Sequence, residues 1–421
     1  MTAPAAKGSE SFITDGSELI EPASYRVHGP PHEIWTQLRA SSPVHRCQPP
    51  GYGPFWAVTK HADICQVGKD PSTFRSQPGI TMQPLDQVID RESGVGAMRT
   101  IIEMDPPQHR DFRKVASPYF TPRAMRHVES IVAESAREVV DALARRDGEC
   151  DFAMDVAVAH PLRVLSTILG LPREQESRVL ELTNQLFAGD DEEIGFKGED
   201  RNAAIQKLGL ELFQMFQPII EDRRANPRGD LASLLANGQV NGEPMGPMET
   251  LGYYLITFTA GHDTTKNALA GGMHALLSNP GEFAKLRADR GLVKTAVEEV
   301  VRWTSPVNYM KRTASQDTMV GGQKISEGDE LILFYASGNR DEDVFEDPFA
   351  FRVDRQSNRH VGFGYGEHFC LGAHLARRSQ AALLDELARR VEHIEQTGPE
   401  EWIESSFVVG LKHLPMRYRM A

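Results

Sequence analysis

The chain has 421 residues, long enough for two domains or one large one, and no repeat or linker-like stretch divides it. Its 46 Lys and Arg against 59 Asp and Glu leave a formal net charge of −13, which argues against nucleic acid or an anionic membrane as a partner. Four cysteines, Cys47, Cys65, Cys150 and Cys370, follow no disulfide framework and suit a reducing compartment. No apolar stretch of signal-peptide length opens the chain. The most apolar segment, residues 251–277, is interrupted by His262, Asp263, Lys266 and Asn267, so it reads as a buried helix and not a membrane span. A cytoplasmic location is expected.

Residues 1–25 are small and polar and are expected to form a flexible N-terminal segment. Residues 55–59 predict a strand, and 61–68 a short helix with Cys65 on its apolar side. Across 76–98 the pattern is irregular, with several Pro and Gly; so long a loop in a compact protein is often a lid or binding loop. Asp105-Pro106-Pro107 is a good helix start. His109 and Arg113 then share one helix face, which by spacing alone suits a solvated surface as well as a binding one. Residues 124–146 repeat apolar side chains at helical spacing. Residues 155–169 and 203–224 predict two more helices, the second bent or broken near Pro218. The acidic stretch 187–197 between them reads as a solvated loop.

Within the long apolar helix, Ala260-Gly261-His262-Asp263-Thr264-Thr265 is a poor local choice, because Gly weakens the ladder and hydroxyls and carboxylates compete for backbone groups. Such inconsistency often marks a functional site. Ala260 and Gly261 leave room for a flat cofactor and a small ligand. Thr264 can bond back to the carbonyl of residue 260 and open a bulge, and Asp263 supplies a carboxylate able to relay protons to it through water. His262 is expected to pack or to face solvent. Glu299 and Arg302 share a helix face, a weak signal alone. Segments 317–320, 323–325 and 330–335 are expected to form one small sheet around a Gly321-Gly322 turn.

The stretch 363–375, FGYGEHFCLGAHL, presents Cys370 on a glycine-rich loop. Glycines 364, 366 and 372 can take φ > 0. A helical pattern follows, with Leu383, Leu387, Val391 and Ile394 on one face, so the sulfur sits near a helix N-terminus, which favours a thiolate. Three readings compete: a buried structural cysteine; zinc held with His368 and His374, which lacks a fourth ligand at usual spacing; and haem iron with an axial thiolate.

Phe363, Gly366, His368, Cys370 and Gly372 match the F-x-x-G-x-[RH]-x-C-x-G loop of the cytochrome P450 family, and residues 260–265 match its A-G-x-D-T-T groove. The chain therefore resembles a P450. The resemblance implies a mainly α fold with a minor β portion, a single haem-thiolate monooxygenase domain over 26–421, and haem b on Cys370. It implies that Ala260 and Gly261 lie beside the haem, and that Asp263 and Thr264 deliver protons during activation of dioxygen. His109, Arg113, Arg312 and His368 are then expected at the propionates, with His368 standing where many relatives have arginine. Phe363 and Gly372 shape the cofactor loop. Glu299, Arg302 and Arg355 are expected as a structural network, although Arg352 stands where the family often has Asp. Ile256, Ala260, Val307 and Phe407 are the assumed substrate pocket, and 187–197 becomes a mobile cover.

The activity implied is insertion of one oxygen atom of O2 into a C–H or double bond of a small apolar molecule. No flavin or iron–sulfur motif is present, so electrons are expected from a [2Fe-2S] ferredoxin and its NAD(P)H-dependent reductase, acting on a monomer. The runs GECDF, TAGHDTT, VRWTSPV and NRDEDVF look similar to the soluble bacterial branch that includes terpineol-type hydroxylases. A monoterpenoid or alkyl-aromatic is the first expectation, with a steroid or fatty acid the runner-up. A peroxide-driven enzyme or a non-catalytic haem sensor would not need the Asp263-Thr264 pair.

Overall fold

The computed structural model describes residues 14–87, 100–187, 191–196, 198 and 201–421. About 53% of the chain is helix and 14% strand, so the mainly α expectation holds. The element on which the rest packs is the helix Pro247–Ser278, whose 32 residues span roughly 48 Å at 1.5 Å per residue. Pro247 suits its first position, and the Glu249 carboxylate accepts the Gly246 N–H at 2.8 Å. Helices Ala159–Leu169, Arg201–Ala225, Val293–Thr304 and Ala373–Arg390 pack around it. Two apolar cores line it, one including Phe216, Tyr254 and Phe258, the other including Ala268, Met273, Val300 and Leu383.

A five-stranded sheet runs in the order Val44–Cys47, Phe55–Val58, Glu330–Phe334, Tyr309–Ala314, Phe74–Arg75. Glu330–Phe334 is parallel to Phe55–Val58 and antiparallel to Tyr309–Ala314. The alternation of a strand puts Met310 and Arg312 on one face, and both reach the central cavity.

Several expectations change. Residues 14–25 are not a loose tail: they form the short helices Ser17–Ile20 and the start of Pro22–His28, because Leu19, Ile20 and Tyr25 are buried and Tyr25 Oη donates to the Leu19 carbonyl at 2.8 Å. Residues 1–13 lie outside the described part. Glu330–Phe334 joins the five-stranded sheet, leaving Thr318–Val320 and Gln323–Ile325 as a separate hairpin. Arg201–Ala225 continues unbroken through Pro218. The helix after Cys370 ends at Arg390, and Val391–Gln396 is a strand paired with Pro415–Met420. Val391 and Ile394 still join Leu383 and Leu387 in one core, since a register shift between Val391 and His393 brings both to the same side.

Of the two expected loops, 76–98 and 187–197, residues 88–98, 188–190 and 197 lie outside the described residues. Asp191 is buried and tied down, accepting from Glu404 N at 3.1 Å and pairing with Lys412 at 3.3 Å. Among the described residues no helix is long and apolar enough to cross a membrane.

Candidate active site

The loop that carries Cys370 is shaped by two left-handed glycines, Gly364 at φ 72° and Gly366 at φ 78°. A Cβ on Gly366 would lie 2.0 Å from the Gly68 carbonyl oxygen, so only glycine fits. The Cys370 N–H donates to the Phe363 carbonyl at 2.9 Å. Gly372 differs from expectation: at φ −83° it is an ordinary N-cap for Ala373–Arg390. A Cβ there would meet nothing within 4 Å. Its value is a flat wall beside the sulfur.

Burial pushes the Cys370 thiol above its ordinary pKa, and the Gly372 N–H, Arg113 and Arg377 pull it back only in part. The helix N-terminus alone therefore does not sustain a free thiolate; desolvation outweighs it. A metal ion would displace the proton outright. Zinc finds no ligand set: His374 is exposed, and among the described residues no three His, Cys, Asp or Glu side chains are placed to hold a metal ion.

Cys370 and Thr264 line one cavity of about 240 Å³. Along the central helix between residues 250 and 270, the side chains not packed into protein are Ile256, Thr257, Ala260, Gly261 and Thr264, and all five are on the cavity wall. Val307 and Met310 add to its apolar lining.

Cations collect on the same wall. Arg312 is 5% exposed, donates to the Lys311 carbonyl at 2.8 Å, and has no ion-pair partner among the described residues. The His109 and His368 rings lie 4.1 Å apart, Ser76 Oγ is 3.2 Å from His368 Nε2, and Arg113 donates to the Phe369 carbonyl at 2.7 Å. Burial, then Arg312, His109 and Arg113, drive His368 down to about 2. Burial likewise lowers His109, against the pull of Glu367. Buried cationic and imidazole groups that depress one another lack an anion. Two carboxylates on an otherwise apolar ligand meet that need, so this donor set and the flat Gly372 wall beside a metal-seeking sulfur fit a haem.

Thr264 Oγ1 donates to the Ala260 carbonyl at 2.7 Å, as expected, yet the helix stays continuous and no bulge opens. Asp263 is 2% exposed but does not reach the cavity wall. Its Oδ1 faces Lys266 at 3.2 Å and His262 at 3.5 Å, the latter too long for a good hydrogen bond, and its Oδ2 is buried without a partner. Burial raises the Asp263 pKa, but Lys266 and His262 outweigh it and the carboxyl is held below its usual range. His262 does not face solvent; it is fully buried and stacks on Phe258.

Glu299 receives Arg302 at 2.7 Å on each oxygen and Arg355 Nε at 2.9 Å. Arg352 contributes its backbone N–H at 2.9 Å, while its side chain pairs with Asp347. Phe407 is not brought to the cavity. Its backbone is pinned by Asn308 N at 2.9 Å and its ring packs on Tyr309. Thr257 was not singled out by the sequence, although it lies seven residues before Thr264 and so on its helix face.

The family model for cytochrome P450 matches residues 25–420. The chain is similar to cytochrome P450-terp of Pseudomonas sp, at 35% identity over 96% of this chain and 97% of that protein. It is also similar to linalool 8-monooxygenase of Pseudomonas putida, at 35% identity over 91% and 94%. The crystal structure of a P450 from Novosphingobium aromaticivorans superposes with a TM-score of 0.90 at 36% identity, over 97% of this chain and 98% of that one. Likeness of this extent, in sequence and in fold alike, places the chain in the cytochrome P450 family, as a monooxygenase whose haem is ligated by a cysteine thiolate.

Proposed function

We propose that this monooxygenase hydroxylates or epoxidises a monoterpenoid or a similarly sized alkyl-aromatic. The observation that carries the reading is one apolar cavity whose wall includes both Cys370 and the Ile256 to Thr264 face of the central helix. Burial of apolar surface there contributes about 25 cal/mol per Å², which suits a small hydrocarbon skeleton. Two relatives carry terpenoid-linked names, P450-terp and linalool 8-monooxygenase.

Haem, when bound, supplies the iron at which dioxygen is activated. Cys370 Sγ would hold its iron, and Arg312, Arg113, His109 and His368 would hold its carboxylates. Phe363, Ala260 and Gly261 form its apolar bed. Thr264 Oγ1 donates its proton to the Ala260 carbonyl, so its lone pairs accept a hydrogen bond, and release of the back-bond frees its proton to be passed on as another is taken up. Asp263 relays the proton: its carboxylate, held below the usual range by Lys266 and His262, takes one up and, because its Oδ2 lies off the wall, passes it to Thr264 by a water or by rotation. Glu299, Arg302 and Arg355 hold the segment before the Cys370 loop in place.

Electrons come singly from a [2Fe-2S] ferredoxin. Phe369 and Tyr365 on the Cys370 loop are 41% and 38% exposed, near the exposed cations Arg110 and Lys69. Arg110 is paired with Glu367, so Lys69, over the Tyr365 ring, is the cation that this surface offers to an acidic donor. The chain acts as a monomer, and its four free cysteines suit the cytoplasm.

The test is the absorption of the reduced, carbon-monoxide-bound protein and titration of the ferric form with terpenoids, alkyl-aromatics and steroids. A Soret band near roughly 450 nm is the thiolate signature. Spin-state shifts by terpenoids or alkyl-aromatics support the substrate reading, and shifts by steroids alone overturn it.

A further inference from the structure

Thr257 stands apart from the other threonines of the central helix. Thr250, Thr259 and Thr264 each donate to the carbonyl four residues back, at 3.0, 2.9 and 2.7 Å. That back-bond is the ordinary fate of a mid-helix threonine. The Thr257 hydroxyl makes no hydrogen bond among the described residues, although its side chain lines the cavity. Thr265 also lacks a partner, but it follows Thr264 and is buried at 4% exposure. Thr257 is only half-buried and stands with Ile256, Ala260 and Gly261 on the cavity wall, so its open side is the cavity.

The cavity wall that Thr257 shares includes the apolar Ile101, Ile102, Ile256, Val307 and Met310. An unsatisfied hydroxyl on such a wall, more open to the cavity than that of the buried Thr265 on the same lining, is the kind of sparse polar group that fixes a ligand's orientation. Its placement is also informative. Thr257 precedes Gly261 by four residues and Thr264 by seven, on nearly the same face, which puts it roughly 6 and 10 Å away along the axis.

We propose that Thr257 is a specificity-determining residue that hydrogen-bonds a hydroxyl or carbonyl oxygen of the substrate. The substrate is then an oxygenated terpenoid, and oxidation falls on a carbon at the end remote from that oxygen, beside Ala260 and Gly261. This rests on the terpenoid reading above and adds to it a polar anchor and a regiochemistry.

The experiment uses the haem-loaded protein and two probes, α-terpineol and p-menth-1-ene, which differ by one hydroxyl. Dissociation constants come from the spin-state titration, and product distributions from turnover with an electron donor. Thr257→Val is expected to weaken α-terpineol roughly threefold to tenfold, the range of one net hydrogen bond, to leave p-menth-1-ene unchanged, and to scatter the products of α-terpineol. Thr257→Ser is expected to restore both affinity and product pattern. If Thr257→Val weakens both probes equally, or neither, the anchor is overturned while the terpenoid reading stands. If neither probe shifts the native protein and testosterone does, the terpenoid reading falls and the anchor falls with it.

Discussion

Glu299 and Asp263 are both buried carboxylates, on two helices that pack against each other, and their surroundings differ in kind. Glu299 is saturated: Arg302, Arg355, Asn358 and the Arg352 N–H all donate to its two oxygens. Asp263 has one lysine at 3.2 Å, a distant histidine and an oxygen with no partner. A saturated buried ion holds structure, because every arrangement but the native one strands a charge. An under-satisfied one keeps spare capacity to bind water and move a proton. The difference separates scaffold from machinery within a few helical turns.

The largest expected effect is at the saturated site. Glu299→Ala leaves Arg302 and Arg355 buried without their carboxylate and is expected to cost about 3–5 kcal/mol, read from denaturant unfolding of the haem-loaded protein. A loss under 1 kcal/mol would remove the contrast. Asp263→Asn is the reverse case. Unfolding should change little, while product formation with a competent electron donor slows roughly 100-fold, the lower range of lost acid–base catalysis. A variant that unfolds but turns over normally when folded would make Asp263 scaffold instead.

Thr264→Ala sharpens the same side. Oxygen consumption should continue, with most of it released as hydrogen peroxide, because the proton that should reach the cavity has lost its carrier. An unchanged ratio of product to oxygen consumed would remove Thr264 from proton delivery.

The smallest effect concerns Glu298, beside Glu299 but only partly covered. Burial raises its pKa, yet His360 at 3.0 Å and Arg377 at 2.6 Å outweigh that and hold it down to about 2. Its folded value lies below the roughly 4.3 of a free glutamate, so the stability it contributes is complete above that pH and is lost as pH falls towards 2. Arg377→Met should flatten this acid-side loss in thermal melts. The contribution is modest, since both side chains are about 30% exposed and solvent screens the pair.

Spacing carried much of the site. Phe363 to Gly372, Ala260 to Thr265 and the Glu299–Arg302 pair are each local patterns, and each lies where its period predicted. A short loop or a helix face converts sequence distance directly into geometry, so these residues could be placed before any packing was known. The flexible tail over 14–25 and the strand 330–335 were misplaced for the opposite reason. Leu19 and Tyr25 gain order only by burial against a distant part of the chain, and Glu330–Phe334 was claimed by Phe55–Val58, some 275 residues earlier in sequence.

By itself the sequence determined the chemistry-bearing residue types, their spacing and the mainly helical class. Tertiary packing decided which way each group turned. It drew Asp263 off the cavity towards Lys266, pinned Phe407 against Tyr309, joined Arg355 to Glu299, and left the Thr257 hydroxyl open to the cavity. The physical reason is one of range. Helical period and glycine freedom act over a few residues, whereas burial, ion pairing and the shape of a cavity depend on which remote segments meet, and no local pattern encodes that choice.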